Sequence, residues 1–250
     1  MLAAGHKATA HPRALQTICS RADAFGRPAP GRRVGTRTEP AREAAYTACV
    51  NDDDVPSGID LRLPHVAHAW TAEADVKRPY RADARALIAE RVAVHGARRV
   101  LELGGGPGLL AEAIVARQPV DYTLLDFSEP MLALSRQRNP GITCVLRDFL
   151  DPAWPDGLGT FDAIVTMQAV HELRHKRRAQ LLYTQAHAVL AAGGLVVVAD
   201  HEPPETRVRA RDLHATADEQ HGYLGGAGYR DVETIATFGT LYVIAARATR

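Results

Sequence analysis

A glycine-rich turn between an apolar run and a helix constrains the fold of this chain more than any other feature. The run VLEL at 100–103 is followed by GGGPG at 104–108 and by LLA at 109–111. Glycine allows a sharp turn and lets a ligand approach the backbone closely. Open α/β sheets bind nucleotides at such a turn, at the carboxyl end of the first parallel strand. The turn therefore predicts a nucleotide-type ligand, and its fit to GxGxx(G/A) leaves a dinucleotide open.

Apolar runs with the length of strands recur along the chain. They lie at 99–103, 122–125, 142–146, 161–167, 195–199, 231–237 and 240–246. Helices predicted at 128–138 and 174–192, the latter ended by Gly193-Gly194, separate several of these strands, which implies parallel pairing. A last helix, at about 209–224, precedes a hairpin with Phe238-Gly239 as its turn. The order predicts an α/β fold with a seven-stranded, mostly parallel, doubly wound sheet and an antiparallel C-terminal hairpin strand.

Composition bounds the rest of the chain. Its 250 residues carry a formal net charge of +1, so it shows no general attraction to nucleic acid or membrane. No apolar run approaches the roughly 18 residues of a membrane span. Three separated cysteines fit a reducing, cytoplasmic setting. Glycines, prolines and scattered arginines predict a disordered basic arm over 1–58, followed by a helical cap segment over 59–97 and a domain over 98–250.

The residues around the turn resemble the first motif of the class I (Rossmann-like) S-adenosylmethionine-dependent methyltransferases. Glu102 stands two residues before Gly104, which gives ExGxGxG, and Asp126 ends the second strand. DF at 148–149, FDAIVTMQAVH at 161–171 and LGGAGYRDV at 224–232 resemble later motifs. The resemblance covers about 80–247. It implies the class I methyltransferase fold, with S-adenosylmethionine as the cofactor of the domain at 98–250.

The resemblance also implies which residues hold the cofactor. In the family, the first motif surrounds the amino-acid part, an acid after the second strand binds the ribose, and an acid with an apolar neighbour binds the adenine. The expected cofactor-binding residues are Glu102, Gly104, Gly105, Gly106, Gly108, Asp126, Phe127, Met131, Asp148, Phe149 and Gln168. Structural roles stay open for some of them: Glu102 as a solvated acid, Asp126 as a helix cap, and Phe149 or Met131 as core.

Two histidines at the same predicted sheet edge are candidate catalytic residues. His171 follows the fourth strand and His201 follows the fifth. The protein must chiefly hold an acceptor in line with the methyl group, and a base helps where the acceptor loses a proton. An unperturbed pKa of about 6.5 suits that task, although both could be loop histidines without a chemical role. We predict a small-molecule acceptor, with Trp70, Tyr80 and Arg81 able to close over it.

Other functions remain open from the sequence. An NAD(P)-dependent oxidoreductase would also want Asp126, but Glu102 and the terminal hairpin disfavour it. The run from His171 to His175 matches the HExxH pattern of zinc hydrolases. It follows a buried strand where a helix only begins, and spacing selects no third ligand, so we predict no metal site. A methyltransferase-like binding module without catalysis is a further alternative. The basic arm keeps an RNA or protein acceptor open, although the sequence disfavours nucleic acid and a membrane partner.

Overall fold

The computed structural model describes residues 54–205 and 210–249. Most of the predicted basic arm, residues 1–53, lies outside these ranges. The described chain contains seven helices: α1 Pro64–Lys77, α2 Arg81–His95, α3 Leu109–Arg117, α4 Glu129–Arg138, α5 Ala179–Ala188, α6 Ala210–Leu213 and α7 Ala217–Gly226. Two short 3-10 helices, Val170–Leu173 and Lys176–Arg178, precede α5.

The strands are β1 Arg99–Leu103, β2 Asp121–Asp126, β3 Thr143–Leu146, β4 Phe161–Met167, β5 Leu190–His201, β6 Tyr229–Phe238 and β7 Leu241–Ala248. They form one sheet in the order β3-β2-β1-β4-β5-β7-β6. β1 to β5 pair in parallel, and β7 pairs antiparallel with both β5 and β6. The predicted fold class, with seven strands and an antiparallel C-terminal hairpin strand, is confirmed.

Helices cover both faces of the sheet, as its apolar strands require. Ile88 and Val92 of α2 and Ile114 of α3 pack on one face against buried strand residues. Leu182 and Tyr183 of α5 pack on the other face, together with Leu224 of α7. Of the predicted cap segment, α2 therefore belongs to the layer that covers the sheet, whereas α1 contacts α4.

Three predicted boundaries are wrong. Gly193 and Gly194 do not end a helix, because α5 already ends at Ala188 and both glycines lie in β5. The last predicted helix is two helices, α6 and the longer α7, which extends to Gly226. The hairpin turn lies one residue later than expected, at 239–240. At 193–194 and 239 the glycines marked irregular backbone correctly but did not indicate which element they interrupt, whereas the break between α6 and α7 contains no glycine.

The segment 54–63 is attached across the carboxyl edge of the sheet. Its first residue, Asp54, forms an ion pair with Arg178 at 2.8 Å, and the Val55 N–H donates to the carbonyl of Arg174 at 2.9 Å. Near its other end, the carbonyl of Leu61 accepts a hydrogen bond from Ser128 Oγ at 2.5 Å. The segment thus passes over the ends of β2 and β4. Among the described helices, none is long and apolar enough to cross a membrane.

Adjacent leucines on α5 test the placement of this helix. Leu182 is 2% exposed and Leu181 is 60% exposed. We expect Leu182→Ala to lower the free energy of unfolding by about 2–5 kcal/mol, because it removes buried methyl groups and leaves a cavity. The matched change Leu181→Ala should alter it by less than about 0.5 kcal/mol. Chemical denaturation of the two variants checks this, and equal losses would contradict the assigned face.

Candidate active site

A cavity opens at the carboxyl edge of the sheet, above the ends of β1, β2, β4 and β5. Ile59 and Leu61 of the segment 54–63 and Trp70 of α1 also line this cavity. It brings together most of the predicted site residues, namely Glu102, Gly104, Gly105, Gly106, Asp126, Phe127, Met131, Phe149, Gln168, His171 and His201. Two predicted residues, Gly108 and Asp148, do not line it.

The glycine turn is held close to β2 and to the loop after β4. The N–H groups of Gly104 and Gly105 both donate to the carbonyl of Leu125. A Cβ atom on Gly104 would lie 2.4 Å from the Cβ of Ala169, so this glycine is required by packing. A Cβ atom on Gly106 would meet nothing within 4 Å, although its φ of +53° still favours glycine. Gly106 therefore leaves space on the cavity side. Gly108, in contrast, packs against Ser135 and Asn139.

Asp126 joins the glycine turn to the start of α4. Its Oδ2 accepts the N–H of Gly106 and its Oδ1 accepts the N–H of Ser128, each at 2.8 Å. The helix cap itself is Ser128, whose hydroxyl accepts the N–H of Met131. Burial raises the pKa of Asp126 to about 6, against the hydrogen bonds that favour its ionised form. Asp126 thus orders the turn and also presents a carboxylate to the cavity.

Glu102 is a buried acid with one strong donor. It is 2% exposed, and its Oε2 accepts the hydroxyl of Tyr122 at 2.8 Å. Burial raises the pKa of Glu102 to about 8. The alternative of a solvated acid at a strand end is therefore wrong, because the side chain lies inside the domain and lines the cavity.

A buried cation from α2, Arg81, also lines the cavity. Arg81 is 5% exposed, and its Nε and Nη1 have no hydrogen-bond partner among the described residues. The nearby Asp75 lies 3.4 Å from Arg81 Nε but gives its two oxygens to Arg85, at 3.0 and 2.6 Å. The guanidinium also stands 5.1 Å from the ring centroid of Trp70. Burial lowers the pKa of Arg81 to about 10, so the group stays charged at neutral pH.

Aromatic and apolar side chains line the far end of the cavity. Phe127, Met131 and Phe149 lie there, largely buried or half-buried. Asp148 lies in an adjoining hollow lined also by Arg62 and Phe149, where its Oδ1 accepts the N–H of Leu150 at 2.9 Å. Burial raises the pKa of Asp148.

His171 is paired with a buried acid at the end of β5. Its Nδ1 lies 2.8 Å from Asp200 Oδ1, and its backbone N–H donates to Asp200 Oδ2 at 3.1 Å. Asp200 is 2% exposed. Burial acts to lower the pKa of His171, but the charge and hydrogen bond of Asp200 outweigh it, so the pKa is raised. The carboxylate assigns the proton of the neutral ring to Nδ1, which leaves the lone pair on Nε2.

His201 has partners on both ring nitrogens. Nδ1 contacts Thr240 Oγ1 at 2.9 Å, and Nε2 contacts the side-chain amide of Gln168. Burial lowers the pKa of His201 to about 4, so the ring is neutral at neutral pH. Gln168 itself has a φ of 59°, a strained conformation for a residue other than glycine, which costs about 1–3 kcal/mol. Of the two predicted catalytic histidines, His171 is thus the one with a nitrogen available for a proton.

The HExxH pattern does not form the helical face that zinc hydrolases use. His171 lies in a 3-10 helix, Arg174 has a φ of 66°, and His175 is extended and accepts the N–H of Arg177. Within the described residues, a different set could offer metal ligands: His171, Asp200 and His214, with ligand atoms within 4.8 Å of one another. The direct 2.8 Å contact between His171 and Asp200 is the geometry of a hydrogen-bonded pair, and we interpret the set in that way.

Several cavity residues were not expected from the sequence. Asp200 precedes His201 at the end of β5, and its position at a strand end could have indicated it. Arg78 and Arg85 lie near Arg81, where only a covering role was expected. No sequence signal indicated His214, because it follows the short helix α6, which no hydrophobic period connects to the sheet.

Comparison with known proteins is consistent with this architecture. Residues 100–194 match a family model described as a methyltransferase domain. The ribosomal RNA large subunit methyltransferase G of Aeromonas salmonicida is 27% identical over 142 residues, which cover 52% of this chain and 37% of that protein. The chain therefore spans little more than a third of this curated relative.

Solved structures share the fold at low sequence identity. An O-methyltransferase family protein from Burkholderia thailandensis superimposes with a TM-score of 0.60 at 17% identity, covering 74% of this chain and 60% of that one. Human N-acetylserotonin methyltransferase in complex with S-adenosylmethionine gives a TM-score of 0.60 at 17% identity, covering 85% and 68%. The family match and the glycine turn, together with these two structures, favour the methyltransferase prediction over the dinucleotide alternative. Residues 100–194 thus match a methyltransferase domain, and the described chain has the fold that these solved methyltransferases share.

Proposed function

We propose that this chain transfers the methyl group of S-adenosylmethionine to a small polar acceptor whose proton is taken by His171. The observation that supports the proposal is that Glu102, Arg81 and His171 line one cavity. His171 is also paired with the buried Asp200. An acid and a cation are complementary to a zwitterionic ligand, and His171 is complementary to a group that loses a proton.

The residues near the glycine turn fit the amino-acid part of the cofactor. Its ammonium group is complementary to the carboxylate of Glu102, and its carboxylate is complementary to the orphaned nitrogens of Arg81. Asp126 is available to the ribose hydroxyls, and Phe127 and Phe149 offer rings to the adenine. When bound, the cofactor supplies a methyl group already activated by a sulfonium centre. The protein's own task is then to hold the acceptor in line and to exclude water.

His171 is placed to remove a proton from the acceptor. Nδ1 donates to Asp200, so Nε2 is the atom that accepts a proton from a hydroxyl or ammonium group of the acceptor. The imidazolium formed in this way is stabilised by the buried carboxylate of Asp200. His201, with both nitrogens engaged, would instead orient Gln168 beside the acceptor.

The cover over the cavity supports a small acceptor. Ile59, Leu61 and Trp70 line the same cavity as His171 and so form part of the wall around an acceptor. A second candidate is an RNA acceptor, favoured by the name of the ribosomal RNA methyltransferase relative. That relative shares only part of its length with this chain, so the roofed cavity has more weight in our assignment.

Methyl transfer by the full chain separates these two acceptor classes. The protein is incubated with S-adenosylmethionine labelled on its methyl group, together with either a panel of small hydroxyl and amino compounds or purified ribosomal RNA. We expect label in a small-molecule product and none in RNA. Label in RNA alone would contradict the proposal, as would the absence of transfer to any small acceptor in a broad panel.

Gly106 provides a test of cofactor placement. We expect Gly106→Ala to weaken S-adenosylmethionine binding by at least about tenfold, because an added methyl group in a filled site costs about 1–3 kcal/mol. The matched control is Gly96→Ala, which has a similar positive φ at the exposed end of α2 and no neighbour within 4 Å. Both variants should lose about 1–2 kcal/mol of folding free energy to backbone strain. Calorimetric titration measures the affinity, and equal binding by both variants would move the cofactor elsewhere.

Proton release on cofactor binding tests the role of Glu102. Because its pKa is about 8 in the free protein, Glu102 is mostly protonated at pH 7, and a neighbouring ammonium group favours its ionised form. We expect binding to release close to one proton, and the association constant to rise about tenfold per pH unit between about pH 6.5 and 7.5. Titration calorimetry in buffers of different ionisation enthalpy counts the protons. Glu102→Gln should remove the release; an unchanged proton count in that variant would exclude Glu102 as its source.

The pH dependence of turnover tests His171 as the base. Only the neutral ring accepts a proton, so kcat/KM should fall as pH decreases through a pKa above 6.5. The charged or titratable groups that face His171 are Asp200, Glu172, Arg78 and His214. Removing the charge of Asp200 with Asp200→Asn should shift this limb to lower pH and reduce kcat.

Replacement of His171 provides the companion measurement. His171→Ala should lower kcat by about 10²–10⁴-fold, the usual contribution of a positioned base, while the affinity for S-adenosylmethionine stays unchanged. His65→Ala, at an exposed histidine of α1, is the control. Full activity in His171→Ala would show that the acceptor needs no base from this residue.

A further inference from the structure

His214 lies flat against the ring of His171. Their ring centroids are 4.6 Å apart and the ring planes differ by 20°. His214 comes from the segment between α6 and α7 and not from the sheet, so its approach to His171 is not a consequence of strand pairing. Within the part of the chain that the structure describes, its Nδ1 is buried without a hydrogen-bond partner, and it lies 3.9 Å from Asp200 Oδ1, too far for a hydrogen bond. The contact between the two rings is therefore one of stacking.

A buried hydrogen-bond chain fixes the backbone next to His214. The hydroxyl of Tyr242 donates to the carbonyl of Ala215 at 3.0 Å, and it accepts from Gln220 Nε2 at 3.0 Å. The hydroxyl of Tyr183 completes the chain by donating to Gln220 Oε1 at 2.5 Å. All these side chains are buried. Because Ala215 follows His214 directly, Tyr242 of β7 fixes the backbone from which the His214 ring projects, and a hydrogen bond with the backbone of His201 also holds the ring.

The hydrogen bond to Asp200 alone does not hold the plane of the His171 ring. A single bond at Nδ1 leaves rotation about the bond direction, and His171 stands beside an open cavity. A ring packed on one face removes that freedom. Burial, together with the charge of His171, lowers the pKa of His214, so the packed ring stays neutral and adds no repulsion to a protonated His171.

We propose that His214 is a positioning residue that holds the imidazole of His171 in the plane in which Nδ1 bonds Asp200 and Nε2 faces the acceptor. Tyr242 supports it by anchoring Ala215. The inference rests on the proposed function for its kinetic consequence, but the restraint on the ring can be measured in the protein without any acceptor. A displacement of about 1 Å in a catalytic group can cost on the order of 10²-fold in rate.

Two substitutions at position 214 separate the effect of a packed planar ring from the effect of the ring nitrogens. His214→Ala removes the packed ring, and His214→Phe keeps a planar ring without nitrogens. We expect His214→Ala to lower kcat by about 10–100-fold with KM for S-adenosylmethionine unchanged, and His214→Phe to recover most of the loss. Tyr242→Phe should lower kcat in the same direction. Tyr229→Phe, which removes a buried hydroxyl that bonds the carbonyl of Tyr183 and takes no part in this chain, should cost stability without lowering kcat.

A measurement that does not need turnover accompanies the kinetics. In ¹⁵N-labelled protein, the Nδ1–H proton of His171 should be protected from exchange with water in the wild type and in His214→Phe, and should exchange faster in His214→Ala. Unchanged protection in His214→Ala would overturn the inference even where His171→Ala confirms the base. Equal loss of kcat in His214→Phe and His214→Ala would also overturn the inference, because a ring nitrogen and not stacking would then be required. Loss of wild-type activity in EDTA would overturn it as well, because a metal would then be required.

Discussion

The parallel register of β1, β2, β4 and β5 is the constraint on which the site depends. Strands that run in the same direction end at the same edge, so the glycine turn, Asp126, Gln168 and Asp200 meet there although they are far apart in sequence. β7 preserves this arrangement by pairing antiparallel with β5, which completes the sheet beside the last parallel strand. The same strand carries Tyr242, so the C-terminal hairpin also anchors the segment that brings His214 to the edge.

Three buried acids at this edge differ in charge state because their partners differ. Glu102 has one phenolic donor, and burial raises its pKa to about 8. Asp126 has backbone donors on both oxygens and a smaller rise, to about 6. Burial would raise the pKa of Asp200 as well, but the charge and hydrogen bond of His171 outweigh it, and the pKa is lowered. The site thus holds one acid whose raised pKa favours its protonated form and another, paired with His171, whose lowered pKa favours its ionised form.

Sequence reasoning was most successful where local pattern and global topology agree. Alternating apolar runs and helices predicted the sheet, and glycines with an acid at the end of β2 predicted the ligand edge, because these features depend on short stretches of chain. It failed at Gly193 and Gly194, where a bulged strand and a helix end have the same glycine signal. The sequence also did not indicate that His214 lies against His171 or that Arg81 is a buried cation. Both features depend on contacts between elements that no hydrophobic period connects. The HExxH pattern does not form one helical face, because the left-handed backbone of Arg174 interrupts the run between the two histidines.

We propose that the cavity at the sheet edge binds S-adenosylmethionine, with Glu102 complementary to its ammonium group and Arg81 complementary to its carboxylate. Calorimetric titration of the full chain with S-adenosylmethionine, with S-adenosylhomocysteine and with NADH tests it most directly. The two sulfur compounds share the amino-acid and adenosine parts that these residues are assigned to hold. We expect saturable binding of S-adenosylmethionine and of S-adenosylhomocysteine at one site per chain, and no binding of NADH. Absence of binding for both sulfur compounds, or binding of NADH in their place, would contradict it.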